Sequence, residues 1–270
     1  MQTNNYQGFK VVENEQYTVQ DSLVVEAPLQ ININSESYTV VMRTPGNDYD
    51  LIRGLLYAED IYKKSNQPNI QILEKNQEVP KIINVSIPEE NLGQGYLNKR
   101  TLLSVSSCGI CGKQELTDLE INGERLEKSL SFSAEKLFKM IIDLRNEQKV
   151  FDKTGGSHAA AIFSKENQLL TIREDIGRHN AVDKCVGSLL SQRKLKAGSY
   201  LIVSGRVSYE IVSKAFIAQI PVIIAVSACS SMAVDYAKEL GICLIGFTRD
   251  DKLTIYSNPS FLITKDYNEI

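Results

Sequence analysis

The 270-residue sequence has little net charge, no long apolar run and only two histidines. Its formal net charge is −3 and its pI is about 5.6, so a general role in nucleic-acid or membrane-surface binding is not indicated. The first ten residues are polar and lack the apolar core of a signal peptide, and no apolar run approaches the length that spans a bilayer. We therefore expect a cytoplasmic protein.

Cysteine is also scarce, with five in the chain, and its distribution is uneven. Three cysteines stand singly in apolar stretches, where the default interpretation is a small buried hydrophobic residue: Cys185, Cys229 and Cys243. An odd number of cysteines in a chain without an export signal fits a reducing compartment. In such a compartment the remaining close pair, Cys108 and Cys111, is expected to be functional rather than a structural disulfide.

The thiol pair lies in the segment 106–113, Ser-Ser-Cys-Gly-Ile-Cys-Gly-Lys. An apolar run at 102–105 predicts a strand before it, and the pattern of 113–121 predicts a short helix after it. A thiol at the entry of a helix, with Lys113 nearby, is favoured in its thiolate form. Cys108 and Cys111 are therefore candidate nucleophiles.

Three kinds of chemistry fit such a pair. Structural zinc needs four ligands, and a complete site would require His158 and His179 to approach the loop. Thioredoxin-like redox chemistry normally has its thiol pair after an early strand, whereas here about a hundred residues precede it. A cysteine that accepts a sulfur atom as a persulfide and passes it on uses the same activated thiolate. Spacing alone does not choose among the three.

The pattern of apolar residues changes along the chain. Alternation over 8–43 predicts an antiparallel meander, followed by a helix from Asn47 to about Tyr62 and strands near 70–73 and 82–87. After a helix capped by Ser133 and a hairpin over 160–173, helices and strands alternate, which predicts an α/β unit with a mainly parallel sheet. We place a boundary near 123–133. This gives an α+β domain, 1–128, which includes the thiol loop, and an α/β domain, 129–270.

Polar residues follow three of the predicted parallel strands, at 204–206, 227–231 and 247–250. The carboxyl ends of such strands share one edge of the sheet, where ligands of open α/β folds bind. The first two segments also lead into helices, whose N-termini attract anions. Arg206 and Arg249 would suit phosphates there, and Phe247 could stack on a flat heterocycle. Taken singly, each segment is an ordinary turn with a solvated arginine.

Two further polar segments, 154–160 and 173–180, each contain one of the two histidines, His158 or His179. A histidine in a glycine-containing junction is a candidate site residue. The charged residues beside them have a simpler explanation, in which Arg173 pairs with Glu174, or Asp175 with Arg178. Zinc deaminase chemistry is not expected, since His158 is not followed by the glutamate of a His-x-Glu motif.

Several longer motifs occur in one order along the chain. They are Glu26-Ala27-Pro28-Leu29, Met42-Arg43-Thr44-Pro45-Gly46, the thiol segment 106–112, Thr154-Gly155-Gly156-Ser157-His158, the segment 173–184 and Ser204-Gly205-Arg206-Val207-Ser208. Together these motifs resemble the FdhD/NarQ family, the formate dehydrogenase accessory sulfurtransferases, from about residue 20 to the C-terminus.

The resemblance implies a fold and a function. The fold would be a C-terminal domain like cytidine deaminase, without its catalytic zinc, and a smaller N-terminal α+β domain, assembled as a homodimer. The function would be to take sulfur from a cysteine desulfurase as a persulfide on Cys108. The protein would then transfer the sulfur to the bis-molybdopterin guanine dinucleotide cofactor, which carries molybdenum or tungsten, before this cofactor enters formate dehydrogenase. No metal of its own, no nucleic acid and no membrane is implied.

The resemblance also assigns residues. Cys108 would carry the persulfide with Cys111 as its companion, and the guanine-nucleotide segment would be Phe247, Thr248, Arg249, Asp250, Asp251 and Lys252. Lys252 stands where an arginine is common, and lysine binds an anion as a point charge rather than as a bidentate fork. Ala58-Glu59-Asp60 replaces a more usual Ser-Glu-Gly, which we expect to affect only a helix end. Two other functions stay open, a cofactor-binding chaperone without sulfur transfer and a thiol–disulfide oxidoreductase.

Overall fold

The computed structural model describes residues 2–97, 123–127 and 130–257 of the chain. The strands are β1 (Thr3–Val12), β2 (Glu15–Val24), β3 (Ala27–Ile33), β4 (Glu36–Arg43), β5 (Asn69–Asn76), β6 (Val79–Ser86), β7 (His158–Ser164), β8 (Leu169–Asp175), β9 (Gly198–Val203), β10 (Val222–Ala225), β11 (Cys243–Arg249) and β12 (Lys252–Ser257). The helices are α1 (Asp48–Ala58), α2 (Gln94–Leu97), α3 (Ala134–Asn146), α4 (Lys149–Thr154), α5 (Arg178–Ser191), α6 (Tyr209–Ile217) and α7 (Ser231–Leu240). Short 3₁₀ turns lie at Glu89–Asn91 and Leu195–Ala197.

The larger sheet has six strands in the order β12-β11-β10-β9-β7-β8. Its central strands β9, β10 and β11 are parallel and consist of continuous apolar runs, which is typical of strands buried on both faces. Helices α5, α6 and α7 pack on one face and α3 on the other. The predicted alternation of helices and strands is confirmed.

The prediction of a mainly parallel sheet is wrong in part. β7 is antiparallel to both β8 and β9, and β12 is antiparallel to β11. The short connections from β7 to β8 and from β11 to β12 explain this, because parallel neighbours need a crossover of a dozen or more residues. The sheet is therefore mixed, with three parallel strands at its centre.

The smaller sheet has four strands in the order β4-β3-β6-β5 and packs on α1. The meander predicted over 8–43 is divided, because β3 and β4 belong to this sheet whereas β1 and β2 form a separate two-stranded ribbon. Phe9 and Val11 of this ribbon are 67% and 66% exposed, so their alternation does not indicate a core. Apolar alternation predicted the strands correctly but not the sheet to which they belong.

Helices α1 and α5 join the two sheets, and their backbones are in direct contact. A Cβ built on Gly54 of α1 would lie 1.9 Å from the carbonyl oxygen of Asp183, and one on Gly187 of α5 would lie 1.8 Å from that of Asp50. Only hydrogen at these two positions allows so close an approach. We call this contact the α1–α5 seam; it fixes the smaller sheet against the helical face of the larger one.

The substitution noted at Ala58-Glu59-Asp60 lies at the end of α1, as expected. Asp60 has φ 54°, in the left-handed region that favours glycine after a helix. None of the helices in the described ranges is long and apolar enough to cross a membrane. The domain limits 1–128 and 129–270 and the cytidine deaminase-like layout stay predictions; the structure shows a mixed α/β fold with several sheets.

Candidate functional site

One edge of the six-stranded sheet collects most of the polar motifs. Because β8, β9, β10 and β11 run in one direction, the segments that follow them lie at the same edge, at 176–178, 204–208, 226–230 and the turn after β11. β7 and β12 run oppositely and therefore begin there. The predicted meeting of the three polar segments is confirmed, and the two histidine segments lie at the same edge. We call it the polar edge.

Backbone hydrogen bonds connect neighbouring segments of the polar edge. The Val207 N–H donates to the Ala228 carbonyl over 3.0 Å, and the Ser230 N–H donates to the Val207 carbonyl over 3.0 Å. The Phe247 N–H donates to the Ser227 carbonyl, also over 3.0 Å. The segments after β9, β10 and β11 are therefore held in fixed positions relative to one another.

The hairpin between β11 and β12 contains the predicted guanine-nucleotide residues. Phe247 has φ 52° and a side chain that is 42% exposed, at an irregularity where the strand register shifts between Gly246 and Arg249. A left-handed backbone at a phenylalanine is uncommon, and strain of this kind is frequent at functional sites. Its aromatic face is available to a flat partner.

The rest of the hairpin divides into three kinds of position. Thr248 is fully buried, and its Oγ1 has no hydrogen-bond partner among the residues that the structure describes. Arg249 and Lys252 are opposite each other and exposed. Asp250 and Asp251 have φ 51° and 56° and form the two-residue turn, which requires left-handed residues. The two aspartates are thus accounted for by turn geometry.

His158 begins β7 at the polar edge, between the ends of β8 and β9. Burial lowers the pKa of His158, and the positive charges of Arg178 and Arg206 lower it further, whereas Asp175 raises it. A Cβ built on Gly205 would lie 3.1 Å from His158 Nδ1, so the backbone after β9 passes directly beside the ring. Burial and the two arginines therefore favour the neutral imidazole.

His179, by contrast, is buried within the protein. Its Nε2 lies 3.1 Å from Ser208 Oγ and 3.8 Å from a carboxylate oxygen of Glu210. Ser208 and Glu210 lie at the start of α6, so this contact holds the first turns of α5 and α6 together. The structure does not bring His179 beside His158 as part of one exposed site.

The charged residues 173–175 do not pair as the sequence suggested. Arg173 forms its ion pair with Asp50 of α1 over 2.8 Å and also donates to Ser188. Glu174 accepts from the backbone N–H groups of residues 150 and 151, each over 2.8 Å, at the start of α4. The predicted pairings of Arg173 with Glu174 and of Asp175 with Arg178 are therefore wrong. The residues that each side chain contacts in space are more distant from it in the sequence.

Sequence reasoning missed a buried polar network that lies beside the seam. Asp175 and Lys184 form a fully buried ion pair of 2.7 Å, and Lys184 Nζ also donates to the carbonyl of Thr44 over 2.8 Å. Arg43 and Asp48 form a second buried pair of 2.8 Å. The motif at 42–46 was noticeable, but nothing in its spacing pointed to partners more than a hundred residues away.

The described thiols are poorly suited to nucleophilic chemistry. Burial raises the pKa of Cys185 and of Cys243 to about 12 and that of Cys229 to about 11. All three are thus protonated at neutral pH. Cys108 and Cys111 lie outside the described residues. Within the described part of the chain, no group of three or more His, Cys, Asp or Glu side chains could hold a metal ion.

Comparisons with known proteins identify the family to which the chain is similar. The model of the FdhD/NarQ family matches residues 24–263. A "sulfur carrier protein FdhD" from Sulfolobus acidocaldarius is 38% identical over 260 residues, which cover 96% of this chain and 98% of the relative. A protein of the same name from Mycolicibacterium paratuberculosis is 40% identical over 247 residues, 88% of this chain and 90% of the relative.

A solved structure shares the fold. It was provisionally designated a formate dehydrogenase accessory protein, from Desulfotalea psychrophila, and it superposes with a TM-score of 0.75 at 20% sequence identity. The match covers 97% of this chain and all of the other.

Proposed function

The chain belongs to the FdhD/NarQ family, and from that premise we propose that it is a sulfur carrier that serves formate dehydrogenase. It takes sulfur from a cysteine desulfurase as a persulfide on Cys108. It then transfers this sulfur to the bis-molybdopterin guanine dinucleotide cofactor before the cofactor enters the enzyme. The observation that carries the proposal is the family match over residues 24–263, which includes both the thiol pair and the polar edge.

Loading is a thiol exchange without net oxidation. The Cys108 thiolate attacks the outer sulfur of the desulfurase persulfide, a new sulfur–sulfur bond forms, and the desulfurase cysteine leaves as a thiolate with the electron pair of the old bond. The rate of this step depends on the thiolate fraction of the attacking cysteine. The raised pKa values of Cys185, Cys229 and Cys243 make them poor alternatives to Cys108.

Release requires a second thiol. The Cys111 thiolate attacks the inner sulfur of the persulfide, Cys108 Sγ, and the outer sulfur leaves as sulfide with its electron pair, directed to the metal of the cofactor. This forms a disulfide between Cys108 and Cys111, which a dithiol reductant returns to two thiols. Each transfer then consumes two electrons from that reductant.

The hairpin after β11 is a suitable place for the guanine end of this substrate. Phe247 offers an exposed ring for stacking, and Thr248 Oγ1 is a buried hydroxyl that lacks a partner in the described part of the chain. Arg249 and Lys252 add positive charge beside them. A planar anionic ligand would stack on the ring and pair with the two cations.

The remaining parts of the proposal concern assembly and location. We expect a homodimer in the cytoplasm, where desulfurase, cofactor and apo-enzyme meet in a reducing compartment. Sedimentation at increasing protein concentration tests the dimer.

Sulfur transfer is tested by incubating the protein with a cysteine desulfurase and cysteine and analysing its peptides by mass spectrometry. We expect one additional sulfur on Cys108 in the wild type and in the matched control Cys229→Ser, and none in Cys108→Ser. In Cys111→Ser the persulfide should accumulate, because release is blocked. Sulfur on Cys111 with an unmodified Cys108 would reverse the roles of the two cysteines. A Cys108→Ser variant that still activates formate dehydrogenase would support a chaperone without sulfur transfer instead.

Guanine binding is tested by the effect of GDP on thermal unfolding. A ligand that binds only the native state raises the midpoint by mass action. We expect Phe247→Ala to reduce this increase, and Leu169→Ala, which also removes an exposed apolar side chain but at the opposite edge, to leave it unchanged. If GDP raised the midpoint equally in the wild type and in Phe247→Ala, the hairpin would not be part of the guanine-binding site.

A further inference from the structure

The ribbon of β1 and β2 extends beyond the rest of the described structure. Every residue from 9 to 18 is exposed, so the outer half of the ribbon projects into solvent. Near the base of the ribbon β2 packs on α4, and a Cβ built on Gly156 would lie 2.9 Å from Val24 Cγ1. An isolated two-stranded hairpin is marginally stable in water, and a third strand or a helix against it is normally required. The outer half of the ribbon therefore calls for a further partner.

The outer edge of β1 has little protection against pairing with another strand. Over its ten residues β1 has one charge, Lys10, and no proline. Its pairing with β2 is regular throughout, whereas the edge strands of the six-stranded and four-stranded sheets each pair with a shift in register. Charges, prolines and irregularities are the features by which edge strands normally avoid pairing. The edge of β1 is thus open to the addition of a strand.

The turn of the ribbon determines which backbone groups face this edge. Glu13 and Asn14 form a two-residue turn with φ 51° and 71°, and in this geometry the flanking pair, Val12 and Glu15, is a hydrogen-bonded one. Bonded and non-bonded pairs alternate along an antiparallel ladder. The N–H and C=O groups of the odd-numbered residues of β1 therefore point away from β2. In the described part of the chain no other strand pairs with them.

We infer that β1 pairs through this edge with β1 of a second copy of the chain, antiparallel and across a two-fold axis. The two ribbons then form one four-stranded sheet in the order β2-β1-β1-β2. An axis through Phe9 places this residue opposite its own copy. Tyr6 then lies opposite Val12 of the second copy, and Lys10 lies opposite Gly8. Aromatic and aromatic–aliphatic pairs across strands are stabilising, and the single charge of β1 does not meet its own copy.

The charge pattern favours a second copy as the partner. Opposite residues of a ladder point to the same face, so the odd-numbered residues of β1 and the even-numbered residues of β2 share one face. None of these ten residues is charged, and among them Phe9 and Val11 are the most exposed large apolar residues of the described chain. All three charges of the two strands, Lys10, Glu15 and Asp21, lie on the other face. Joining two such sheets edge to edge therefore extends the uncharged face without bringing like charges together on it.

The proposed function includes a homodimer but names no contact surface for it. The inference rests on the proposed function only for this homodimer and not for sulfur transfer, since the match to the family begins at residue 24, where the ribbon ends. One strand from each chain makes a small interface, so we expect a dimer that dissociates on dilution.

The first test blocks the edge of β1 and measures association by sedimentation at increasing protein concentration. Gln7→Pro removes an N–H that points outward, so it spares the hydrogen bonds to β2 and prevents the addition of a strand. Gln20→Pro is the matched control, because Gln20 lies opposite Gln7 and its N–H points to the other edge of the ribbon. We expect Gln7→Pro to weaken dimerisation about tenfold or more, and Gln20→Pro to dimerise like the wild type.

Three results of this experiment would overturn the inference. The wild type could sediment as a 30.2 kDa monomer at every concentration. All three proteins could dimerise equally, in which case the contact lies on another surface. Both proline variants could lose association equally, which would show a requirement for an intact ribbon rather than for the edge of β1.

Hydrogen exchange measures the same contact without a substitution. The outward N–H groups of Gln7 and Phe9 should exchange more slowly as protein concentration rises, because strand addition supplies their acceptors. Those of Thr18 and Gln20, at the outer edge of β2, should keep their rates. Protection of both edges or of neither in a dimeric sample would overturn the inference. Normal persulfide loading of Cys108 without this protection rejects the ribbon contact alone, and a protected dimer that does not load rejects the sulfur carrier alone.

Discussion

Two groups of charged residues lie near the segment 173–178, and they differ in whether each cation has an anionic partner. In the network beside the seam each cation has its anion, Arg43 with Asp48, Arg173 with Asp50 and Lys184 with Asp175. Beside His158, the side chains of Arg178 and Arg206 have no such partner within the described part of the chain.

This difference distinguishes charged residues that stabilise the fold from charged residues that do not. A buried charge that is paired and hydrogen-bonded can belong to the fold alone, whereas an unpaired cation at an open sheet edge adds nothing to stability and needs another explanation. Substitutions in the seam network should therefore lower stability, whereas substitution of the exposed Arg206 should change stability little. The predictions below test this contrast, in order of decreasing effect.

Lys184→Met should cause the largest loss. It leaves Asp175 as an uncompensated buried charge, which costs about 3–5 kcal/mol of unfolding free energy. Urea denaturation measures the change. Combining it with Asp175→Asn should restore part of the loss, since no unpaired charge then remains. If the double variant were less stable than Lys184→Met, the unpaired charge of Asp175 would not be the cause of the lost stability.

Gly187→Ala should be nearly as damaging. The new Cβ would meet the Asp50 carbonyl oxygen at 1.8 Å, so the α1–α5 seam must open. We expect a loss of about 3 kcal/mol, at the upper end of overpacking effects, despite the better helix propensity of alanine. Gly8→Ala is the matched control, because its Cβ meets only Val19 Cγ2 at 3.9 Å. Similar unfolding free energies for both variants would contradict the close contact.

Two arginine-to-glutamine changes compare the groups directly. Arg173→Gln removes charged hydrogen bonds to Asp50 and Ser188 and should cost about 1.5–3 kcal/mol. Arg206→Gln, at an exposed position without a partner in the described ranges, should change unfolding free energy by less than about 0.5 kcal/mol. Chemical denaturation of the two variants side by side provides the measurement. If Arg206→Gln were the more destabilising, the assignment of the two groups would have to be exchanged.

The smallest effect is a pH dependence that arises at His158. Its pKa is lowered in the folded protein, so the unfolded chain binds more protons between the folded pKa and the ordinary value of 6.5. Unfolding free energy should therefore increase with pH through this interval and become level above it. His158→Gln should remove this slope, as thermal midpoints between pH 5 and 7.5 would record. An identical slope in the variant would assign it to other groups.

The sequence predicted the larger sheet well because its strands are continuous apolar runs separated by helices of ordinary length. It also placed 204–206, 227–231 and 247–250 at one edge, since that follows from strand direction alone. The seam was not predictable, because Gly54 and Gly187 are close only after two helices cross, and an isolated helical glycine has no pattern. The partners of Arg173 and Asp175 were missed for the same reason. They lie in α1, in α5 and in the segment after β4, and local spacing contains no information on such contacts.

The exposed ring at Phe247 also offers an optical probe. The chain contains no tryptophan, so Phe247→Trp would introduce a single indole at the point where a purine is expected to stack. The fluorescence of this tryptophan would then report occupancy of the guanine site in the isolated protein, without a label and without the desulfurase. Position 247, whose left-handed backbone is unusual for a large side chain, would thus allow binding of the cofactor to be followed in real time.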